Sequence, residues 1–232
     1  MSTPKIIIER FTALSEFTAK GFMYNLNYLP DTILGGIVLF ALLLQSVSLG
    51  ALGVSLFSLE LVHAGLAAGL AESIPGLKEA SKDVARCSGH FPGISYERAT
   101  ATLLGEGTLK TLSVGFPSYY MMFFGALFGY MLAMANTYEQ ELEGMPQKRA
   151  AIYAGVVIMG LLTFLFLLFR LFTACDTLVS ILIGTLAGLA YGYGAEMVFA
   201  AVSGRTMTNL MNVPLIRDRT ADGKPIYVCK KE

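Results

Sequence analysis

Residues 164–192, FLFLLFRLFTACDTLVSILIGTLAGLAYG, decide the fold of this chain. An uncharged apolar run ends at Arg170, and a second apolar run follows a short junction that contains Asp176. Extended outward, the two runs cover residues 150–169 and 177–202, and a helix needs about 20 apolar residues to cross a bilayer. The stretch therefore predicts two membrane-spanning helices joined by a tight, charged turn.

The composition of the whole chain supports this interpretation. Of 232 residues, 54% are hydrophobic and 15% are charged, whereas soluble domains carry about 25% charged residues. This excludes a disordered protein and disfavours a soluble enzyme. Because 17 basic residues balance 17 acidic ones, the chain has no basic field that would attract nucleic acid, and no nucleic-acid partner is expected.

Further spans are expected upstream of this stretch. Residues 117–136 form one candidate, and residues 33–71 are too long for one straight crossing. A break at 50–53 gives five spans, whereas one long projecting helix gives four. With five spans, the numbers of Lys and Arg on the two sides of the membrane are nearly equal. With four spans, more of them lie on the side of the two termini, which favours cytoplasmic termini. The sequence predicts an all-α, multi-spanning integral membrane helical bundle of four or five spans.

The chain divides into three regions. Residues 1–30 form an amphipathic segment without the features of a signal peptide, and it lies either in the headgroup region or against the rest of the protein. Residues 31–204 form the membrane domain, with an extramembrane loop at 72–116. Residues 205–232 form a polar tail with a turn signal and a short β-prone run. This tail is either a compact docking element or a disordered terminus.

Small residues recur every fourth position in several predicted spans. Such patterns allow close approach of helix backbones in a bilayer. They predict internal packing of one bundle, with a homodimer face as the alternative. The glycines concerned are Gly65 and Gly69, Gly125 and Gly129, and Gly184, Gly188 and Gly192.

Three ionisable residues lie inside predicted spans, where a charge costs about 2.5–3.5 kcal/mol on insertion scales. Glu60 and His63 share one helix face and form an intramembrane polar pair. They are either a satisfied structural pair or a proton relay. Glu196 lies late in the last span, and we expect it near the membrane interface.

The charged turn has further polar neighbours. If Pro117 begins one helix and Arg170 ends the next, both lie at the same membrane face in either topology. Ser118, Arg170 and Asp176 are then within reach of one another, beside a helix N-terminus that can bind an anion. This places an anion-binding site at that face.

These segments resemble the type 2 phosphatidic acid phosphatases (PAP2), which share their core with vanadium haloperoxidases. GFPSYYMMFFGALFGYM, residues 115–131, is similar to the second family motif and its helix. RLFTACDTLVSILIGTLAG, residues 170–188, is similar to the third motif and the span that follows it. The resemblance covers residues 115–194 and implies a degenerate PAP2-like core.

The resemblance also implies loss of catalysis. In the family one histidine attacks phosphorus, and another protonates the leaving oxygen. Here Asp176 stands at the nucleophile position, Tyr120 at that of the acid, and Ser180 at that of the orienting aspartate. The lysine and Arg-Pro motif expected within residues 72–115 is incomplete. The implied site is an anion pocket without catalytic residues, and its remnant members are Ser118, Tyr120, Arg170 and Asp176.

The sequence gives weaker support for other catalytic or metal-binding sites. His90 lies in a second-motif-like CSGH, but the residues after it do not form a membrane helix. An Asp176 nucleophile would require Mg²⁺ and further carboxylates, which do not cluster. Cys87, Cys175 and Cys229 lack the spacing of a zinc site or a redox pair and indicate no compartment. We predict no metal and no cofactor.

The expected function is that of a catalytically inactive PAP2-like membrane protein, a structural anchor or scaffold. The expected partners are the lipid bilayer and proteins that contact loop 72–116 and tail 205–232. The tail is similar to membrane proteins of large algal DNA viruses, which suggests a virion internal membrane and capsid proteins as partners. The alternatives are a lipid phosphatase using displaced residues and a small transporter using Glu60 and His63.

Overall fold

The computed structural model of the protein describes residues 26–73, 116–219 and 225–227. A short 3₁₀ turn, Arg205–Met207, and two strands, β1 (Ile216–Arg219) and β2 (Pro225–Tyr227), follow the last helix. Most of the predicted amphipathic segment (1–30) and most of the predicted extramembrane loop (72–116) lie outside these residues. The helices are α1 (Leu29–Leu43), α2 (Val47–Ser73), α3 (Tyr119–Thr137), α4 (Glu139–Leu142), α5 (Pro146–Phe172) and α6 (Leu178–Ser203).

The bundle is all-helical, and three of its helices are long and apolar enough to cross a membrane. These three spans are Val47–Ala67 within α2, Pro146–Phe172 and Leu178–Ser203. They fit an integral membrane protein. Helix α1 is apolar but has only 15 residues, and α3 has 19. A total of four or five spans therefore stays a prediction.

The break between α1 and α2 lies at residues 44–46, so the predicted break at 50–53 is wrong, and so is the single long helix. Gln45 adopts a left-handed conformation with φ 49°. The Ser46 N–H donates to the Ala41 carbonyl, and the Gln45 N–H donates to that of Leu42. These two bonds form the Schellman motif that commonly ends helices, usually with glycine at the left-handed position. Gly50 and Gly53 do not mark the end of the helix, because Gln45 occupies the left-handed position where a glycine is usual.

The two helices on either side of this break form an antiparallel hairpin. Gly53, in the second turn of α2, faces the side chains of Ile37 and Val38 on α1. A Cβ added to Gly53 would lie 3.5 Å from Ile37 and 3.7 Å from Val38, which is ordinary van der Waals contact. Gly53 therefore lies within the contact between the two helices and does not end one.

Helices α3 and α6 run parallel in close contact at the centre of the bundle. A Cβ added to Gly184, Gly188 or Gly192 would overlap the carbonyl oxygen of Ser118, Met122 or Ala126 respectively. Each step of four residues on α6 matches a step of four on α3. Because lipid gives helices no hydrophobic reason to associate, such backbone contact is a main source of their attraction.

The prediction of internal packing is confirmed for the glycines of α3 and α6. Gly125 and Gly129 of α3 meet the backbone of α6 at Thr185 and Leu189. On α2, in contrast, a Cβ added to Gly65 would meet no atom within 4 Å among the described residues. The glycine pattern therefore serves the α3–α6 contact in particular.

The parallel pair gives the bundle two distinct ends. Helices α3 and α6 both begin at what we call the Ser118 end. Helix α5 runs antiparallel to α3, because Phe166 stacks on Phe124 while Gly160 faces Phe128. Helix α5 therefore ends at the Ser118 end and begins at the opposite one, the Tyr138 end.

The described part of the tail follows α6 at the Tyr138 end. Strands β1 and β2 pair antiparallel, with Ile216 opposite Tyr227 and Arg219 opposite Pro225. Before the strands, Val213 is buried in a cluster with residues of α3, α4 and α5. The helical bundle thus carries a small two-stranded ribbon at this end.

We predict that Gly188→Ala destabilises the protein, because the added methyl group would overlap the Met122 carbonyl oxygen. Overpacking of this kind costs about 1–3 kcal/mol. Thermal unfolding of the detergent-solubilised protein measures the effect. Gly194→Ala on the same helix is the control, because its methyl group would meet nothing within 4 Å. Equal Tm values for the two variants would contradict the proposed packing.

Candidate functional site

The charged turn at the Ser118 end is formed by a second Schellman motif. Ala174 is left-handed with φ 52°, and the Cys175 N–H donates to the Arg170 carbonyl. Helix α6 begins three residues later, and the hydroxyl of its N-cap, Thr177, accepts a hydrogen bond from the Ser180 N–H at 3.3 Å. The chain reverses its direction at this turn, so the Asp176 side chain lies beside that of Arg170.

Asp176 lies at the centre of a buried polar cluster. Arg170 Nε donates to Asp176 Oδ2 at 2.6 Å, and Ser118 Oγ donates to the same oxygen at 2.8 Å. The side chains of Arg170 and Asp176 are 8% and 6% exposed. Two donors from two helices therefore converge on one carboxylate oxygen.

The Arg170 guanidinium has two more neighbours. It lies over the ring of Tyr120, 5.0 Å from the centroid, and Arg170 Nη1 donates to Asn27 Oδ1 at 3.4 Å. The Tyr120 hydroxyl donates to the Leu26 carbonyl at 3.0 Å. The Tyr120 side chain is therefore held by the backbone just before α1.

Ser118 is also the N-cap of α3. Its hydroxyl accepts from the Met121 N–H at 3.4 Å while donating to Asp176. Its own N–H donates to the Ser180 carbonyl at 3.2 Å. The start of α3 is thereby attached to the start of α6. The helix N-terminus expected to bind an external anion is capped from within the protein.

The structure places all four predicted members of the anion pocket, Ser118, Tyr120, Arg170 and Asp176, in one connected cluster. Asn27 and the Leu26 carbonyl were missed, because the sequence left open whether residues 1–30 lie in the headgroup region or against the rest of the protein. Their only sequence signal is a polar residue just before an apolar run. His90 lies outside the described residues.

Glu60 and His63 are both buried on α2. His63 Nε2 lies 2.8 Å from the Pro117 carbonyl oxygen. Because a carbonyl can only accept, this nitrogen carries the proton. The His63 ring also meets Tyr119 edge-on at 5.2 Å. His63 therefore attaches α2 to the start of α3.

Cys175, within the charged turn, is disulfide-bonded. The other two cysteines of the sequence, Cys87 and Cys229, lie outside the described residues. Disulfides persist in oxidising compartments.

A second polar cluster lies at the Tyr138 end, and the sequence analysis did not anticipate it. The Tyr138 hydroxyl donates to the Arg205 carbonyl and lies 3.1 Å from the Thr208 hydroxyl. Arg205 Nη1 pairs with Glu141 Oε1 at 2.5 Å. Burial raises the pKa of Tyr138, so the hydroxyl keeps its proton and remains a donor.

Glu196 belongs to this second cluster. It is 0% exposed, and its Oε2 accepts from the Thr137 hydroxyl at 3.0 Å. The expectation that Glu196 lies near the membrane interface stays a prediction, but its side chain is fully buried within the protein. The parallel packing of α3 and α6 encloses it between the two helices.

Among residues 26–73, 116–219 and 225–227, no group of three or more His, Cys, Asp or Glu side chains is placed to hold a metal ion. In comparisons with known proteins, the chain matches no protein family, no curated protein and no solved structure. The site must therefore be interpreted from its own geometry.

We predict that Arg170→Leu strongly destabilises the protein, by about 3–5 kcal/mol, because it leaves the buried Asp176 carboxylate without its cation. The double variant Arg170→Leu with Asp176→Leu should be much closer to wild type, because both charges are removed. Thermal unfolding of the single and double variants forms the test.

The control is Arg149→Leu, because Arg149 and its partner Glu139 are about half exposed and 4.0 Å apart. An exposed pair contributes at most about 1 kcal/mol. Additive effects of the Arg170 and Asp176 substitutions would show that the two residues do not depend on each other.

Proposed function

We propose that this protein is a structural integral membrane protein, an anchor or scaffold, whose PAP2-like site has become an internal ion pair. This pair, Arg170 with Asp176, holds the helices together with Ser118, and we call it the lock. The observation that carries the proposal is the convergence of Arg170 and Ser118 on Asp176 Oδ2. In a phosphatase site, these donors would point to the substrate. Here a side chain of the protein takes the position of the anion.

The energetics of the cluster support a structural role. A phosphate group would have to displace Asp176 from both donors and leave a buried carboxylate without a partner. Breaking a buried pair in this way costs about 3–5 kcal/mol. The Tyr120 hydroxyl is occupied by the Leu26 carbonyl, so its proton is directed away from Arg170. These contacts favour a lock between helices over a catalytic pocket.

The lock joins most of the bundle. It attaches the end of α5 to the start of α3, and the backbone bond from Ser118 to Ser180 adds the start of α6. His63 attaches α2 to the same point. A scaffold needs one fixed arrangement of its helices, whereas a transporter must alternate between two arrangements. For this reason we place Glu60 and His63 with the structural elements.

The proposed location is an internal virion membrane, with capsid proteins as partners of loop 72–116 and tail 205–232. The support is the similarity of the tail to membrane proteins of large algal DNA viruses. The two-stranded ribbon adds a backbone edge on which a partner strand could pair. The disulfide at Cys175 favours an oxidising side for the Ser118 end, which leaves the tail on the reducing side.

We predict that the purified protein hydrolyses neither phosphatidate in mixed micelles nor a soluble phosphomonoester. The reason is that histidine is missing at both catalytic positions and that Asp176 Oδ2 is already engaged. Phosphate release is compared with that of Arg170→Lys, a variant that keeps the positive charge. Turnover that is lost in Asp176→Asn would contradict the proposal and favour a lipid phosphatase.

We also predict that the tail contacts another protein in the native membrane. Chemical cross-linking followed by mass spectrometry should give cross-links from Lys224, Lys230 and Lys231 to a capsid protein. A chain that ends at residue 215 should stay in the membrane and lose that partner. Retention of the same partner by the shortened chain would show that the tail is not the docking element.

A further inference from the structure

The contact between α3 and α6 leads to a second buried site, where the glycine pattern ends. The pairs Ser118 with Gly184, Met122 with Gly188, and Ala126 with Gly192 advance by four residues on each helix. One further step places Tyr130 opposite Glu196. Here the close backbone contact gives way to two large polar side chains inside the bundle.

Both side chains carry a buried polar atom without a hydrogen-bond partner among the described residues. These atoms are Glu196 Oε1 and the Tyr130 hydroxyl oxygen. Glu196 is 0% exposed and Tyr130 1%. The register of the α3–α6 contact places the two side chains on facing turns of the two helices. Unsatisfied buried polar atoms cost about 1–3 kcal/mol each, and two at one place indicate a missing ligand.

The charges around Glu196 define what this ligand must be. The charged or titratable groups that act on this cluster are Arg205, Glu141, Tyr130 and Tyr138. Arg205 is bonded to Glu141, and neutral tyrosines add no charge. Among the described residues, an ionised Glu196 would therefore carry a charge with no cation of its own, because Arg205 is already paired with Glu141. A water molecule could contact both unsatisfied atoms but would leave that charge.

We propose that Glu196 and Tyr130 bind one small monovalent cation, Na⁺, between α3 and α6. The ligands would be Glu196 Oε1 and the Tyr130 hydroxyl oxygen, with the hydroxyls of Thr137 and Thr208 close by. Oxygen atoms are the ligands that hard cations prefer. The ion would contact both unsatisfied atoms and neutralise the carboxylate. It would link α3 to α6 at the Tyr138 end, as the Arg170–Asp176 pair links helices at the Ser118 end.

The test uses the full chain in detergent, with Na⁺ as the probe. Tm is measured at fixed pH and ionic strength while NaCl replaces N-methylglucamine chloride. The ion should raise the Tm of the wild type, because a ligand that binds only the folded state stabilises it. Glu196→Gln should abolish this shift. Glu139→Gln is the control, because Glu139 is exposed at the same end.

Tyr130→Phe keeps the test decisive if Glu196→Gln does not fold. It removes only the unsatisfied hydroxyl, so without a bound ion it should leave Tm unchanged or raised. With a bound ion it should weaken the Na⁺-dependent shift while the protein stays folded. A wild-type Tm that does not respond to Na⁺ would overturn the proposal. A Tm that responds only to pH would also overturn it, since a proton and a water molecule would then occupy the site.

Discussion

The parallel contact between the helices Tyr119–Thr137 and Leu178–Ser203 is the constraint on which the rest of the structure depends. Glycine at every fourth position of the second helix lets its backbone touch that of the first. This fixes their register along several turns. The register sets Ser118 beside Ser180 at one end of the bundle and Tyr130 opposite Glu196 towards the other. Both polar clusters are consequences of one backbone contact.

The two clusters treat buried charge in different ways. At the Ser118 end, Arg170 pairs with Asp176, Ser118 and Asn27 add hydrogen bonds, and the guanidinium lies over the Tyr120 ring. At the Tyr138 end, Glu196 Oε2 accepts from the Thr137 hydroxyl, and Oε1 has no partner among the described residues. The first cluster pairs its two charges within the protein, and for this reason we propose a structural role for it. The second contains two unsatisfied buried atoms, and for this reason we propose an ion there.

Much of this arrangement could be predicted from the sequence, because apolar length and the Arg170–Asp176 spacing are local signals. They predicted spans at 150–169 and 177–202, where the structure has helices Pro146–Phe172 and Leu178–Ser203, and they predicted the cluster at the charged turn. The break at Gln45 could not be predicted, since a left-handed glutamine has no distinct local signal and the nearby Gly50 and Gly53 lie inside a helix. The burial of Glu196 and the role of Asn27 depend on helix register and on contacts between distant segments, which a single sequence does not contain.

The central claim is that Asp176 permanently occupies the position of an anion beside Arg170. Solid-state NMR of the protein in lipid bilayers can measure the distance from Arg170 Nε to the Asp176 carboxylate carbon, with and without phosphatidate in the bilayer. The account predicts a short distance, set by the 2.6 Å hydrogen bond, that is the same in both bilayers. A distance that lengthens when phosphatidate is present would contradict it, because Arg170 would then be binding the lipid phosphate.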